Sequence, residues 1–188
     1  MRRLLASAAL LLAVGMYTPP TFAQSDTTIG VGVGLSPSIG TGSFDSGTSP
    51  VTLYVPIQLD GIRLEPQVGF FHRNRSEDSF EEETTVIEVG TGVFGTHETG
   101  DARLHYGGRV GIQNISLSQS VNGNSDSDSV TNVFVGPAVG GEYVFDETVS
   151  LGAEGRFLYV NEGTPENDDD VSIWRLQTGG SVFVRVYF

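Results

Sequence analysis

From Thr27 to the C-terminus, apolar residues recur at every second position, and this alternation constrains the fold more than any other feature. A period of two puts alternate side chains on opposite faces of a strand; a helix needs spacings of three and four. Ile29, Val31, Val33 and Leu35 alternate with Gly30, Gly32, Gly34 and Ser36. Val51, Leu53, Val55, Ile57 and Leu59 stand against Thr52, Tyr54, Pro56 and Gln58. After Asp60-Gly61, a two-residue hairpin signal, Ile62, Leu64, Pro66, Val68 and Phe70 stand against Arg63, Glu65, Gln67 and Gly69. Further runs start near Ile87, Leu104, Val133, Val149 and Leu176. The pattern predicts an all-β chain of eight antiparallel strands. Proline within such runs is tolerated only at bulges or unpaired positions.

The connections alternate in length. Short ones fall at Asp60-Gly61, Thr96 to Asp101 and Asp146 to Thr148; long polar ones at Pro37 to Pro50, His72 to Glu83, Ser116 to Ser129 and Asn161 to Asp170. Transmembrane barrels combine short periplasmic turns with longer extracellular loops, which assigns both chain ends to the periplasmic side. The Ser, Asn, Asp and Gly content of 116–129 predicts disorder there.

The N-terminus reads as an export signal: Arg2-Arg3, an apolar stretch from Leu4 to about Met16, and Thr21-Phe22-Ala23 before Gln24. Residues 1–23 are expected to be removed, leaving 24–188 as one domain. No segment supplies the roughly 20 consecutive apolar residues of a membrane helix, so insertion into a bilayer must use strands. The absence of cysteine rules out disulfides, thiol nucleophiles, Cys-ligated zinc and a lipidated N-terminal cysteine.

Alternation alone also describes a soluble barrel with its apolar face turned inward; composition decides against it. The polar face is rich in glycine and carries Arg63, Arg103, Arg109, Arg156, Arg175 and Arg185 with Glu65, Glu88, Glu142 and Glu154. Nearly balanced charges are what a confined lumen requires, because an unpaired buried charge is costly. Every basic residue is arginine, whose planar fork of donors suits buried pairing; a soluble surface usually also carries lysine. Phe70, Tyr143, Phe145, Tyr159, Trp174 and Phe188 lie near strand ends, where interfacial girdles form.

Three stretches, Gly136 to Phe145, Val149 to Arg156 and Val182 to Phe188, give the chain a resemblance to the OmpA/OmpX-type outer-membrane proteins. The resemblance implies an eight-stranded antiparallel up-and-down transmembrane β-barrel in the outer membrane, among outer-membrane lipids and lipopolysaccharide. It also implies that Val182, Val184, Val186 and Phe188 form the assembly signal read by the barrel-assembly machinery. With the chain stopping at Phe188, the wall-anchoring role of the longer family members is not expected.

The formal charge is −13, and −15 once Arg2 and Arg3 leave with the signal. Thirteen of the 23 acids fall in the four long connections, against Arg73 and Arg75. Such a surface disfavours nucleic acid, whose phosphates need basic side chains, and favours cationic partners or divalent cations at the loops. Asp126-Ser-Asp128 and Asp168-Asp-Asp170 lack the ligand spacing of a dedicated calcium loop. Gly30 to Gly34 is followed by no helix and so is no phosphate loop; it leaves room inside a narrow barrel. His72 and His97 fall in connections assigned to opposite sides of the membrane, and His105 sits within a strand as a member of the charge network. With no Ser/His/acid grouping evident, neither enzymatic activity nor a cofactor is expected. The expected function is a structural or surface-interaction barrel with an Arg/Glu-filled lumen and a small gated pore at most. The alternatives are an adhesin acting through acidic loops and, less well supported, a lipid-modifying enzyme.

Overall fold

The computed structural model describes residues 27–35, 51–77, 80–121, 124–145, 148–162 and 173–188. They form nine strand segments: β1 (Thr28–Leu35), β2 (Val51–Tyr54), β3 (Ile57–Leu59), β4 (Ile62–Glu77), β5 (Phe80–Thr99), β6 (Ala102–Val121), β7 (Asn124–Phe145), β8 (Val149–Glu162) and β9 (Ile173–Tyr187). β2 and β3 are one stave interrupted at Val55-Pro56, since both pair with β1 and β4 in one continuous register. Successive staves pair antiparallel and β1 closes onto β9, giving a ring of eight. Closure leaves no sheet edge within the ring, the condition for strands to cross hydrocarbon.

The register fixes the tilt. Stepping from Trp174 to the partner in each neighbouring stave leads through Asn161, Val133, Ile112, Val89, Val68, Leu53 and Val33 to Val184, ten residues along β9 from the start. That stagger over eight strands inclines them by about 40° and leaves an interior just wide enough for side chains.

Local chemistry explains the interruptions. Proline has no N–H to donate. The Pro56 carbonyl nevertheless accepts from Gly30 N–H at 2.9 Å, and Val55 N–H donates to the Pro66 carbonyl at 3.0 Å, so the broken stave stays in place. The β7–β8 ladder skips Gly136 and Pro137 between the Val135–Tyr159 and Ala138–Arg156 pairs, whereas Pro137 remains paired with Gly108 on the β6 side. The turns at Gly61 (φ 68°) and Gly100 (φ 59°) occupy the left-handed region, which a residue without Cβ enters freely.

Two expected long loops are corrected. Residues 72–83 and 116–129 are mostly strand: β4 runs to Glu77, β5 begins at Phe80, β6 runs to Val121 and β7 begins at Asn124. Register is kept throughout, from His72–Thr85 to Glu77–Phe80 and from Ser116–Ser129 to Val121–Asn124. The disorder expected at 116–129 is therefore overturned. Polar sequence removes the apolar face but not the backbone ladder, whose donors and acceptors every non-proline residue carries. The connection expected at 37–50, most of that at 161–170, and the signal at 1–23 lie outside the described residues.

The apolar face points outward. Val33, Leu53, Val68, Val89, Ile112, Val135, Leu151 and Val184 are all exposed, and so are the six girdle aromatics. Tyr159 stacks on Trp174 with centroids 5.0 Å apart toward the end that carries the long β4–β5 and β6–β7 hairpins, and Tyr143 meets Phe145 edge-on at 4.9 Å at the other. The buried set is the lumen: Tyr54, Phe94, Phe134, Phe183 and Tyr187 among a larger number of polar and charged side chains.

Candidate functional site: the barrel lumen

Inward positions on β1 are Gly30, Gly32 and Gly34, and large side chains fill the space they leave. A Cβ at Gly32 would stand 2.6 Å from the Arg185 stem, and one at Gly34 2.6 Å from the Tyr54 ring. Into this space the other staves send their charges.

Three carboxylates organise the cluster. Glu142 on β7 accepts from Arg63, from Arg185 Nη1 at 2.9 Å, from Ser150 at 2.8 Å and from the Tyr187 hydroxyl at 2.9 Å. Glu65 on β4 accepts from Arg109 and from Arg185 Nη2 at 2.5 Å. Glu154 on β8 takes a two-pronged contact from Arg109, Nε at 2.7 Å and Nη2 at 2.8 Å, with Arg156 Nε at 2.7 Å and His105 Nε2 at 3.1 Å. Arg109 also donates to Gln67 at 2.6 Å, and Arg156 reaches the Tyr54 hydroxyl at 2.8 Å. The chain of contacts from Gln58 through Arg63, Glu142, Arg185, Glu65, Arg109 and Glu154 to Arg156 is continuous. Charge-assisted, forked bonds of this kind fix geometry as well as energy.

Aromatic rings wall the guanidinium groups. Arg185 lies 3.7 Å from the Phe183 centroid and Arg109 4.9 Å from that of Phe94; a ring face attracts a cation more strongly once water is excluded. Among the described residues, three buried nitrogens have no hydrogen-bond partner: Arg63 Nη1, His105 Nδ1 and Arg185 Nε.

The ten charged residues assigned to the lumen from sequence are placed unequally. Arg63, Glu65, Arg109, Glu142, Glu154, Arg156 and Arg185 are buried and mutually bonded. Arg103 is half-buried, bonded to Glu98 at 2.7 Å and reaching Glu142 at 3.5 Å. Glu88 is half-buried and accepts from Gln67 at 2.6 Å. Arg175 is exposed near the start of β9. Tyr54, Gln58, Gln67, Ser150 and Tyr187 complete the contacts. All alternate with outward apolar residues, and a network counted from the charged members of that polar face alone leaves these neutral donors and acceptors out, although parity places them beside it. Val182, Val184, Val186 and Phe188 all face outward on the last stave.

Among solved structures, Ail of Yersinia pestis is similar over 87% of this chain and 98% of its own, with 14% identity and a TM-score of 0.58; it has also been solved in complex with the heparin analogue sucrose octasulfate. Neisserial surface protein A matches over 86% and 97%, with 15% identity and a TM-score of 0.55. A major outer membrane protein from Thermus thermophilus matches over 84% and 99%, with 12% identity and a TM-score of 0.54. At these identities the likeness is one of fold. No curated protein matches the sequence. The family model described as the outer membrane protein beta-barrel domain matches residues 6–180. The lipid-facing apolar wall, the eight-stave closure and this match agree: the chain is a member of the outer membrane protein β-barrel domain family and sits in the outer membrane.

Proposed function

We propose that this protein is a structural and surface-interaction component of the outer membrane, a rigid, internally filled barrel that holds two β-ribbons above the bilayer. The observation that carries this reading is the continuous Arg/Glu cluster, whose core side chains Arg63, Glu65, Glu142, Glu154 and Arg185 have no exposed area. Ions crossing the lumen would have to displace paired charges whose separation costs several kcal/mol each, of the order of 3–5. Planar-bilayer recordings of the refolded protein test it. No steady conductance is expected over a wide range of salt and voltage, and an open pore would overturn the filled-lumen reading.

The three unpartnered buried nitrogens favour a second reading, a narrow gated path in which Arg63 and Arg185 exchange carboxylate partners. Brief, voltage-dependent openings in the same recordings would support it.

For the surface role, the ribbons carry Glu77, Glu81, Glu82, Glu83, Asp126 and Asp128 against Arg73 and Arg75. That balance opposes polyanions such as the one bound in the Ail complex and suits cationic partners or divalent cations. Removal of residues 1–23 on export, and reading of Val182, Val184, Val186 and Phe188 by the assembly machinery, complete the proposal. Lipopolysaccharide would surround the extracellular half.

A further inference from the structure

A cleft of about 550 Å³ opens beneath the β5–β6 turn and the end of β7, where Glu98, Asp101 and Arg103 approach Tyr143 and Phe145. We propose that it holds the headgroup of a zwitterionic phospholipid bearing a primary ammonium, drawn from the periplasmic leaflet.

Position supports a lipid. The turn lies at the same end of the barrel as Phe188, the end assigned to the periplasm. Tyr143 and Phe145 are exposed on the apolar wall, and paired aromatics there occupy headgroup depth.

Charge supports an ammonium. The cleft has two carboxylates and one guanidinium, which is already engaged: Arg103 Nε donates to Glu98 at 2.7 Å, Nη1 reaches Glu142 at 3.5 Å, and the group lies 5.2 Å from the Tyr187 centroid. The Tyr143 hydroxyl donates to Asp101 Oδ2 at 2.9 Å, holding that carboxylate at the cleft. A primary ammonium brings three N–H donors for carboxylate oxygens, whereas a quaternary one brings none. The remaining N–H groups of Arg103 suit the lipid phosphate. A purely anionic headgroup would meet a net negative cleft.

The test uses the chain refolded into vesicles containing equal parts of phosphatidylethanolamine, phosphatidylcholine and phosphatidylglycerol, then extracted gently for native mass spectrometry. Retained phosphatidylethanolamine is expected to exceed phosphatidylcholine at least threefold. In the double variant Glu98→Gln with Asp101→Asn, that ratio should approach one. Asp101→Asn alone keeps an acceptor for the Tyr143 hydroxyl and leaves the Glu98–Arg103 pair intact; it should lower the ratio by itself. Heat-modifiable gel migration verifies that each variant is folded. Equal retention in the unaltered protein, a preference for phosphatidylglycerol, or a preference that Asp101→Asn leaves unchanged would overturn the proposal.

Discussion

Arg109 joins the two halves of the lumen cluster, because among the described residues it is the one that bonds both Glu65 and Glu154, while also donating to Gln67. Replacing it with methionine keeps much of its volume but leaves Glu65 dependent on Arg185, and Glu154 on Arg156 and His105. Stranding buried charge in this way destabilises by about 3–5 kcal/mol. Arg109→Met should therefore lower the urea midpoint of the refolded protein well below that of Arg175→Gln. At that exposed position an effect within about 0.5 kcal/mol is expected. Equal midpoints would mean that the cluster contributes no more than a surface charge. The contrast also marks what was legible at this scale. Parity put Arg109 and Arg175 on the same polar face, and it cannot tell how high on the stave a residue sits or whether carboxylates from other staves meet it there. Pairs such as Arg63 with Glu142 join residues 79 apart in sequence, and only the closed register brings them together.

Hairpin β4–β5 shows where a strand can be read from sequence and where it cannot. Between Ile62 and Phe70 the outward face is apolar and its alternation is plain; beyond Phe70 the same face continues as His72, Asn74 and Ser76. A reading that takes loss of the apolar face as loss of the strand stops there. The ladder does not, because its hydrogen bonds use backbone groups that every non-proline residue carries. Arg75 sits opposite Glu82; an opposite-charge cross-strand pair of this kind adds a few tenths of a kcal/mol to about 1 kcal/mol. Since the ribbon stands above the apolar band, replacing 74–83 with Asn-Gly should leave barrel formation intact. Heat-modifiable migration and the β-type circular dichroism should persist, while binding of cationic partners weakens. A variant that no longer folds would make the ribbon part of the barrel's own stability.

Closure is the property on which the rest of the molecule depends, and its seam lies between β1 and β9, the first and last strands in sequence, paired from Gly30–Tyr187 to Leu35–Val182. Alternation and turn spacing predict eight strands, but not the ten-residue stagger, which follows from turn lengths and from how large and small inward side chains interlock. Gly30, Gly32 and Gly34 face Tyr187, Arg185 and Phe183 across the seam, so sliding it by two residues would set those bulky side chains against different neighbours. The register can be tested directly because the chain has no cysteine of its own. Val33 and Val184 are outward partners at the seam. Opposed residues of antiparallel strands have Cα atoms about 4.5–5.5 Å apart, within the roughly 4.4–6.8 Å span of disulfides. The double variant Val33→Cys with Val184→Cys should therefore cross-link under mild oxidant in the folded protein, detected as a shift on a non-reducing gel that reductant reverses. Moving the second cysteine to Val186 adds roughly 6.6 Å along the strand, which exceeds that reach, and little cross-link should form. A cross-link at Val186 in preference to Val184 would displace the seam by two residues, and with it every pairing of Arg185 to Glu65 and Glu142.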